Sequence, residues 1–204
     1  DVKTIRQTDR GYEVDEQYAA SYLVGAGGTH CPVYRSLFKT THPRGKDSLI
    51  VAMEEEFRYP YTDPRCHLWF IQDHLPGYAW YVPKANGWLN VGIGGKAGEL
   101  VSNRDRLRDH WARLVEKLEK QGMVQGHVYQ PVSYTYYLRQ KPAQLRRGNA
   151  LLVGDAAGLA TLDMGEGIGP AIRSGLLAAE SILNGTAYSL ESIPRYSWLS
   201  LRKH

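Results

Sequence analysis

The chain has 204 residues, of which 43% are hydrophobic and 23% are charged, a composition typical of a folded globular protein. The net charge of +4 is small and the basic residues are spread along the sequence, so nothing indicates a nucleic-acid partner. No apolar stretch is long enough to span a membrane, and the first residues do not resemble a signal peptide.

The chain has two cysteines, Cys31 and Cys66, which are too few for a disulfide framework and predict an intracellular protein. Each has a histidine beside it, His30 and His67, but no pair has the spacing typical of zinc ligands, so we predict no metal site. For Cys31, which lies near the start of a short predicted helix, a redox role and simple packing both stay open.

Short strands and turns dominate the predicted secondary structure. Before residue 40 we expect strands at 2–6, 12–14 and 19–24 and a short helix at 31–38. The central part predicts strands at 48–57, 66–72, 78–82, 88–93 and 127–138. Short turns rich in Pro, Asn and Gly make the first four of these antiparallel neighbours.

Two helices are expected in the second half of the chain. The first begins at an N-cap, Ser102, ends at Gly122 and carries one apolar stripe. The second, at 167–183, follows a strand at 149–153 and ends at Gly185. Its indicators are apolar residues at helical spacing: Ile168, Ile172, Leu176, Ala179 and Leu183.

Two glycine-rich turns follow predicted strands. The first, Gly25-Ala26-Gly27-Gly28, lacks the third glycine of a dinucleotide fingerprint, because the sixth position is His30 and Pro32 follows at once. The second is Gly154-Asp155-Ala156-Ala157-Gly158. It places a carboxylate at the end of a strand, where it can accept hydrogen bonds from ligand hydroxyls, and the helix beyond it directs its positive end to the same region.

The run GDAAG followed by GEGIxxAxxSGxxAA resembles the second flavin motif of FAD enzymes like p-hydroxybenzoate hydroxylase. It is most similar to the motif of geranylgeranyl reductases and their FixC-like relatives. The resemblance implies that Asp155 holds the ribityl chain and that Gly167 and Ile168 face the pyrimidine end of the flavin. The glycines that would let the backbone approach the cofactor are Gly154, Gly158 and Gly165.

The first turn, together with Arg35, resembles the family's GADG-x(n)-R motif near the flavin diphosphate. This implies that Gly25, Gly27 and Arg35 contact the cofactor, although Gly27 replaces the usual aspartate. The segment from Pro76 to Pro83 resembles the PxxYxWxFP segment that lines the isoprenoid cavity of prenyl reductases. It departs from that pattern by one residue in the Pro–Tyr spacing and at Val82.

The prenyl-reductase resemblance implies that Tyr78, Trp80 and Pro83 bind substrate. Alternation along a strand places Tyr78 and Trp80 on one face, but ordinary sheet core is an equal alternative for Trp80. The basic residues between Arg139 and Arg147 are expected in a connection that is either solvated or in contact with a cofactor phosphate.

Together these features predict an α+β fold, with an antiparallel substrate-domain sheet, a long helix and the remaining pieces of an FAD/NAD(P)-binding α/β domain. The expected segments are a partial FAD-binding domain (1–46), a substrate-binding domain (47–139), a second FAD-binding segment (140–185) and a tail (186–204). The family's N-terminal G-x-G-x-x-G segment has no counterpart in the sequence, and we expect the chain to be the C-terminal portion of such a protein.

The resemblance implies an FAD-dependent oxidoreductase that reduces carbon–carbon double bonds of a geranylgeranyl substrate, as in bacteriochlorophyll biosynthesis. NAD(P)H or an electron-donor protein would supply the electrons. Three alternatives stay open: a FixC-like electron-transfer dehydrogenase, a flavin monooxygenase, and a non-catalytic piece that by itself holds FAD weakly and is inactive. We expect a cytoplasmic location, with peripheral membrane association open, and no residue stands out as catalytic.

Overall fold

The computed structural model describes residues 2–140 and 144–197. The described chain forms two compact units. The first combines the residues up to Ser48 with those from Tyr136 onward, and the second is the inserted segment Leu49–Thr135. This mixture of small sheets and helices confirms the predicted α+β class.

The strands in chain order are β1 (Ile5–Thr8), β2 (Gly11–Val14), β3 (Tyr18–Ala20), β4 (Leu23–Gly25), β5 (Leu49–Arg58), β6 (His67–Phe70), β7 (Gly77–Lys84), β8 (Trp88–Lys96), β9 (Val132–Tyr137), β10 (Arg146–Arg147) and β11 (Ala150–Leu152). The α-helices are α1 (Ala97–Ser102), α2 (Leu107–Lys120) and α3 (Ile168–Asn184). In the ranges that the structure describes, no helix is both long and apolar enough to cross a membrane.

The second unit is built on a sheet with the strand order β6-β7-β8-β5-β9. Strands β6, β7, β8 and β5 pair antiparallel with their neighbours, as the short turns predicted. One face of the sheet packs against α2, whose apolar stripe includes Trp111, Leu114 and Leu118. The sheet residues in this core alternate along the strands and include Phe57, Ala79, Tyr81, Leu89, Val91 and Ile93.

The first unit contains a small sheet with the order β10-β11-β4, in which β11 and β4 are parallel. Helix α3 packs against β11 through small residues, because Ser174 and Ala178 are fully buried there. The Ser174 hydroxyl accepts a hydrogen bond of 2.9 Å from the amide of Gly154. These short side chains bring the helix close to the turn that follows β11.

Helix α3 exposes the residues that predicted it. Its bounds match the expectation, and Gly185 ends it in the left-handed conformation. The bulky residues on the other side of the helix are 61–81% exposed; they are Ile168, Ile172, Leu176 and Leu183. Apolar spacing therefore identified the helix, while small residues form its packed face.

Three sequence expectations about element boundaries are wrong. The predicted strand at 19–24 is two strands, because β3 pairs with β2 whereas β4 pairs with β11 in another sheet. Ser102 is not the N-cap of the long helix. It ends α1, where its hydroxyl binds the carbonyl of Gly98, and Arg104 then adopts a left-handed φ of 56° that interrupts the helical path.

The predicted strand at 127–138 begins later, at Val132. The residues just before Val132 form hydrogen bonds with the side chain of Glu55 instead of with a neighbouring strand. The carboxylate of Glu55 accepts a 2.9 Å hydrogen bond from the ring of His127 and a second one from the amide of Gln130. Pro131 has no amide hydrogen, so a strand ladder could not continue through it.

The packing of α3 predicts opposite effects for substitutions on its two sides. We expect Ile172→Gln to change the free energy of unfolding by no more than about 0.5 kcal/mol, because the side chain is exposed. We expect Ala178→Leu to cost about 1–3 kcal/mol, because Ala178 is buried against the sheet. Urea unfolding followed by circular dichroism measures both, and an equally large cost for Ile172→Gln would show that this side is covered in solution.

Candidate functional site

The parallel pairing of β4 and β11 brings the two glycine-rich turns together. Both strands end at the same edge of the sheet, so the turn after Gly25 and the turn after Leu152 emerge side by side. The amide of Val153 donates a 3.0 Å hydrogen bond to the carbonyl of Gly25, which extends the pairing into the turns. The two motifs identified in the sequence thus form one site in the first unit.

The turn after β11 needs both of its glycines. Gly154 and Gly158 adopt left-handed φ angles of 55° and 65°, which favour glycine. A side chain at Gly154 would also lie 3.1 Å from the side chain of Ala171 in α3. Conformation and close packing therefore explain the glycine at this position without reference to a ligand.

Asp155 places a half-buried carboxylate between the end of β11 and the start of α3. A Cβ atom at Gly167 would lie 3.3 Å from Oδ1 of Asp155, so the helix begins directly beside the carboxylate. Burial raises the pKa of Asp155, and the Arg44 guanidinium partly opposes this shift. The arrangement that the spacing of Asp155 and Gly167 predicted is present.

The start of α3 is partly occupied by the chain itself. Oε1 of Glu166 accepts a 2.6 Å hydrogen bond from the amide of Gly169, and Pro170 has no amide hydrogen. At these two positions the first turn of α3 has no free N–H group for a ligand. Gly167 and Ile168 stay the predicted contacts with the cofactor. A Cβ atom at Gly165 would lie 2.6 Å from the hydroxyl oxygen of Tyr136, so this position has no room for a side chain.

The three residues predicted to contact the cofactor around the first turn differ in their exposure to solvent. Gly25 is buried, and a side chain there would lie 2.6 Å from Leu152 and 2.9 Å from Val33. Gly27 is exposed at the turn, and Arg35 is exposed on the short helix beyond it. Packing accounts for Gly25, whereas Gly27 and Arg35 are accessible from solvent.

Sequence reasoning missed Arg44, which touches both turns. Its Nη1 donates to the carbonyl of Thr29 and its Nη2 donates to the carbonyl of Ala156, each at 2.6 Å. Its guanidinium carbon lies 3.5 Å from the centroid of the Tyr34 ring. No motif marks this arginine, because only the folded chain brings its segment beside the turns.

The basic connection after β9 binds backbone carbonyls of its own unit. Arg139 is buried and donates to the carbonyls of Leu190 and Ile193. Arg146 donates to the carbonyl of Gly148, and Arg147 donates to that of Leu37. These bonds give the three arginines a structural role, whereas Lys141, in the same basic run, lies outside the described residues.

In the second unit, Tyr78 and Trp80 lie on the sheet face opposite α2. Their ring centroids are 5.7 Å apart, and Phe70 of β6 extends the row with a centroid 5.3 Å from that of Tyr78. Pro83 pairs with the buried Leu89 and lies on the other face, so the structure does not join it to these rings. Phe70 was missed because the sequence alone gives no register between β6 and β7.

Trp80 has a fixed position on this face. Its ring covers Gly92, where a Cβ atom would lie 2.1 Å from the indole. The indole Nε1 donates a 2.6 Å hydrogen bond to Oδ1 of Asn90, which is itself buried. We call the row formed by Phe70, Tyr78 and Trp80 the aromatic row. It is a partly exposed apolar surface, and the hydrogen bond to Asn90 fixes the ring of Trp80 at one end of it.

No protein-family profile matches the chain. The chain is 28% identical over 158 residues to the digeranylgeranylglycerophospholipid reductase of Thermoplasma acidophilum, which is 76% of this chain and 39% of that protein. It is 28% identical over 171 residues to the geranylgeranyl diphosphate reductase of Synechocystis sp., which is 79% of this chain and 38% of the relative. The chain thus spans about two fifths of the length of these curated relatives.

Solved structures share the fold. A geranylgeranyl bacteriochlorophyll reductase-like protein from Thermoplasma acidophilum matches 98% of this chain and 53% of its own, with a TM-score of 0.72 and 23% identity. The halogenase PltM, solved in complex with FAD, matches 91% of this chain and 42% of its own, with a TM-score of 0.62 and 14% identity. The described chain therefore shares the fold of these proteins.

The chain is similar in sequence to geranylgeranyl reductases, as its motifs predicted.

The raised pKa of Asp155 predicts a stability effect that depends on pH. Because the folded chain holds the proton more tightly than the unfolded chain, the carboxyl lowers stability as pH rises from its unfolded pKa, about 3.9, through its folded pKa. Asp155→Asn removes this cost, so the variant should melt at a higher temperature than the wild type at pH 7. Its advantage should shrink at pH 4.

Melting curves at the two pH values check this prediction, with Asp9→Asn, an exposed turn residue, as the control. A loss of stability in Asp155→Asn that is the same at both pH values would contradict the prediction, because the cost of burying the ionised carboxyl would then not be the main effect of this residue.

Proposed function

We propose that this chain belongs to an FAD-dependent oxidoreductase that reduces carbon–carbon double bonds of an isoprenoid substrate. The observation that carries the proposal is the half-buried carboxylate of Asp155 beside the start of α3. A carboxylate accepts hydrogen bonds from hydroxyls, and a helix N-terminus favours an electron-rich group, so the pair suits a polyhydroxyl chain that ends in a flavin ring.

The residues of the first unit fit one half of the cofactor. Asp155 would hold the ribityl chain, while Gly167 and Ile168 would face the pyrimidine. Gly27 and Arg35 are accessible for contact with the diphosphate end. The sequence carries no G-x-G-x-x-G run to bind the remaining ADP half, so these residues alone would hold FAD weakly.

A bound reduced flavin would supply the hydride for one carbon of the double bond, and a proton would have to reach the neighbouring carbon. The contribution of this chain is to bind and orient. The aromatic row offers an apolar surface with flat rings for an isoprenoid chain, and Asn90 fixes the ring of Trp80 at one end of it.

The names of the relatives support an isoprenoid as the substrate class. Isoprenoid chains partition into membranes, so the substrate would be met at a membrane surface. NAD(P)H or a donor protein would supply the electrons.

We expect Asp155→Ala to weaken flavin binding by about 1.5–3 kcal/mol, roughly 10- to 100-fold, through the loss of one hydrogen bond to a charged group. The measurement is a titration with FAD, followed by flavin fluorescence, of the protein that contains the chain. Asp109→Ala, at a partly exposed position in the second unit where the carboxylate pairs with Arg106, is the matched control and should bind flavin like the wild type. Equal affinities in Asp155→Ala and the control would refute the flavin assignment.

We expect Trp80→Ala to raise KM for an isoprenoid substrate about tenfold, because one large ring leaves the apolar surface. Trp80→Phe keeps a flat ring and should lie between this variant and the wild type. Steady-state kinetics with geranylgeranyl and shorter prenyl substrates measure the effect. An unchanged KM in Trp80→Ala, with flavin binding intact, would favour the FixC-like electron-transfer function, which needs no apolar chain site.

A further inference from the structure

We propose that Arg44 is a positioning residue that ties the two glycine-rich turns together and so sets the geometry of the flavin site. The consequence of this tie for flavin binding rests on the proposed function, whereas the restraint that Arg44 places on the two turns does not.

Arg44 spans the two turns with one guanidinium group. Thr29 belongs to the turn Gly28–His30 after β4, and Ala156 belongs to the turn Gly154–Ala157 after β11. Each carbonyl receives a separate Nη of the same planar group at 2.6 Å. Because the two nitrogens belong to one rigid plane, neither turn can move relative to the other without stretching a hydrogen bond.

Two aromatic rings hold the guanidinium in place. Its central carbon lies 3.5 Å from the centroid of Tyr34 and 5.0 Å from that of Tyr137. The hydroxyl of Tyr34 donates a 3.0 Å hydrogen bond to the carbonyl of His42, two residues before Arg44. Lysine could carry the same charge, but it lacks the planar fork that donates to both carbonyls and stacks on a ring.

A second side chain of the same segment holds the turn after β11. His42 is buried and is hydrogen-bonded to the backbone of Ala157. Burial, together with the charge of Arg44, lowers the pKa of His42 and so favours the neutral imidazole. The segment from His42 to Arg44 therefore binds this turn at two successive residues, Ala156 and Ala157.

Arg44 also acts on Asp155 through its charge, since the guanidinium opposes the rise in the carboxyl pKa that burial causes. Arg44 thus has two roles, the hydrogen bonds to both turns and the positive charge near Asp155, and substitutions can distinguish them. Arg44→Lys keeps the charge and loses the fork, whereas Arg44→Gln loses both.

Hydrogen–deuterium exchange of the chain tests the tie between the turns. We expect Arg44→Lys to accelerate exchange about tenfold in peptides covering 25–31 and 154–160, as the loss of one hydrogen bond to a charged group predicts. Peptides from β1, β2 and β8 should exchange at the wild-type rate. Arg10→Gln, an exposed arginine in a surface turn, is the matched control and should change neither segment.

Acceleration in one turn only, or in neither, would overturn the proposal, because a tie must loosen both. Acceleration throughout the first unit, β1 and β2 included, would also overturn it, since Arg44 would then be a general stabilising residue.

Flavin titration of the protein that contains the chain tests the functional consequence. Arg44→Lys should weaken FAD binding about tenfold, and Arg44→Gln should weaken it further and shift its pH dependence through Asp155. Loose turns with unchanged affinity would show that Arg44 does not position the flavin site. A wild-type protein that binds no flavin would instead refute the proposed function and leave the exchange result to decide the role of Arg44.

Discussion

The parallel pairing of β4 with β11 is the constraint on which the candidate site depends. The two strands are far apart in the sequence, with the whole second unit between them, yet their pairing brings the ends of Leu23–Gly25 and Ala150–Leu152 to one edge. Parallel neighbours need a long crossover, and here that crossover contains the entire sheet of the second unit. Without this pairing the two turns would be unrelated loops, and the tie through Arg44 would have nothing to join.

Small residues then determine how closely α3 approaches that edge. Ser174 and Ala178 pack against β11, and Gly154 leaves room for Ala171. The close approach places the beginning of the helix beside Asp155, so the helix dipole and the carboxylate act on the same volume. The bulky apolar residues of the helix lie on its exposed side, and its packed side carries small residues.

The sequence predicted those parts of the site that depend on local chemistry. A carboxylate after an apolar strand, followed by glycines and a helix, is a short-range pattern, and Asp155 and Gly167 lie where it indicates. Arg44 could not be found this way, because its two partners are a turn fifteen residues earlier and one far later in the chain. Similarly, Ser102 looked like the N-cap of the long helix, and only the structure shows that it ends the separate helix α1, which the left-handed Arg104 divides from α2. Phe70 required the register between β6 and β7, which tertiary pairing sets.

The half-buried state of Asp155 connects stability with binding. Burial disfavours the ionised carboxyl, and Arg44 offsets only part of this cost. The two Nη groups of Arg44 donate to the carbonyls of Thr29 and Ala156, and Arg44 acts on Asp155 through its charge. A ligand hydroxyl that donates a hydrogen bond to Asp155 would offset part of this cost. Under the proposed function, the carboxylate that lowers the stability of the folded chain is also the group that would hold the polyhydroxyl part of the cofactor, as expected where a site keeps a poorly solvated charge for function.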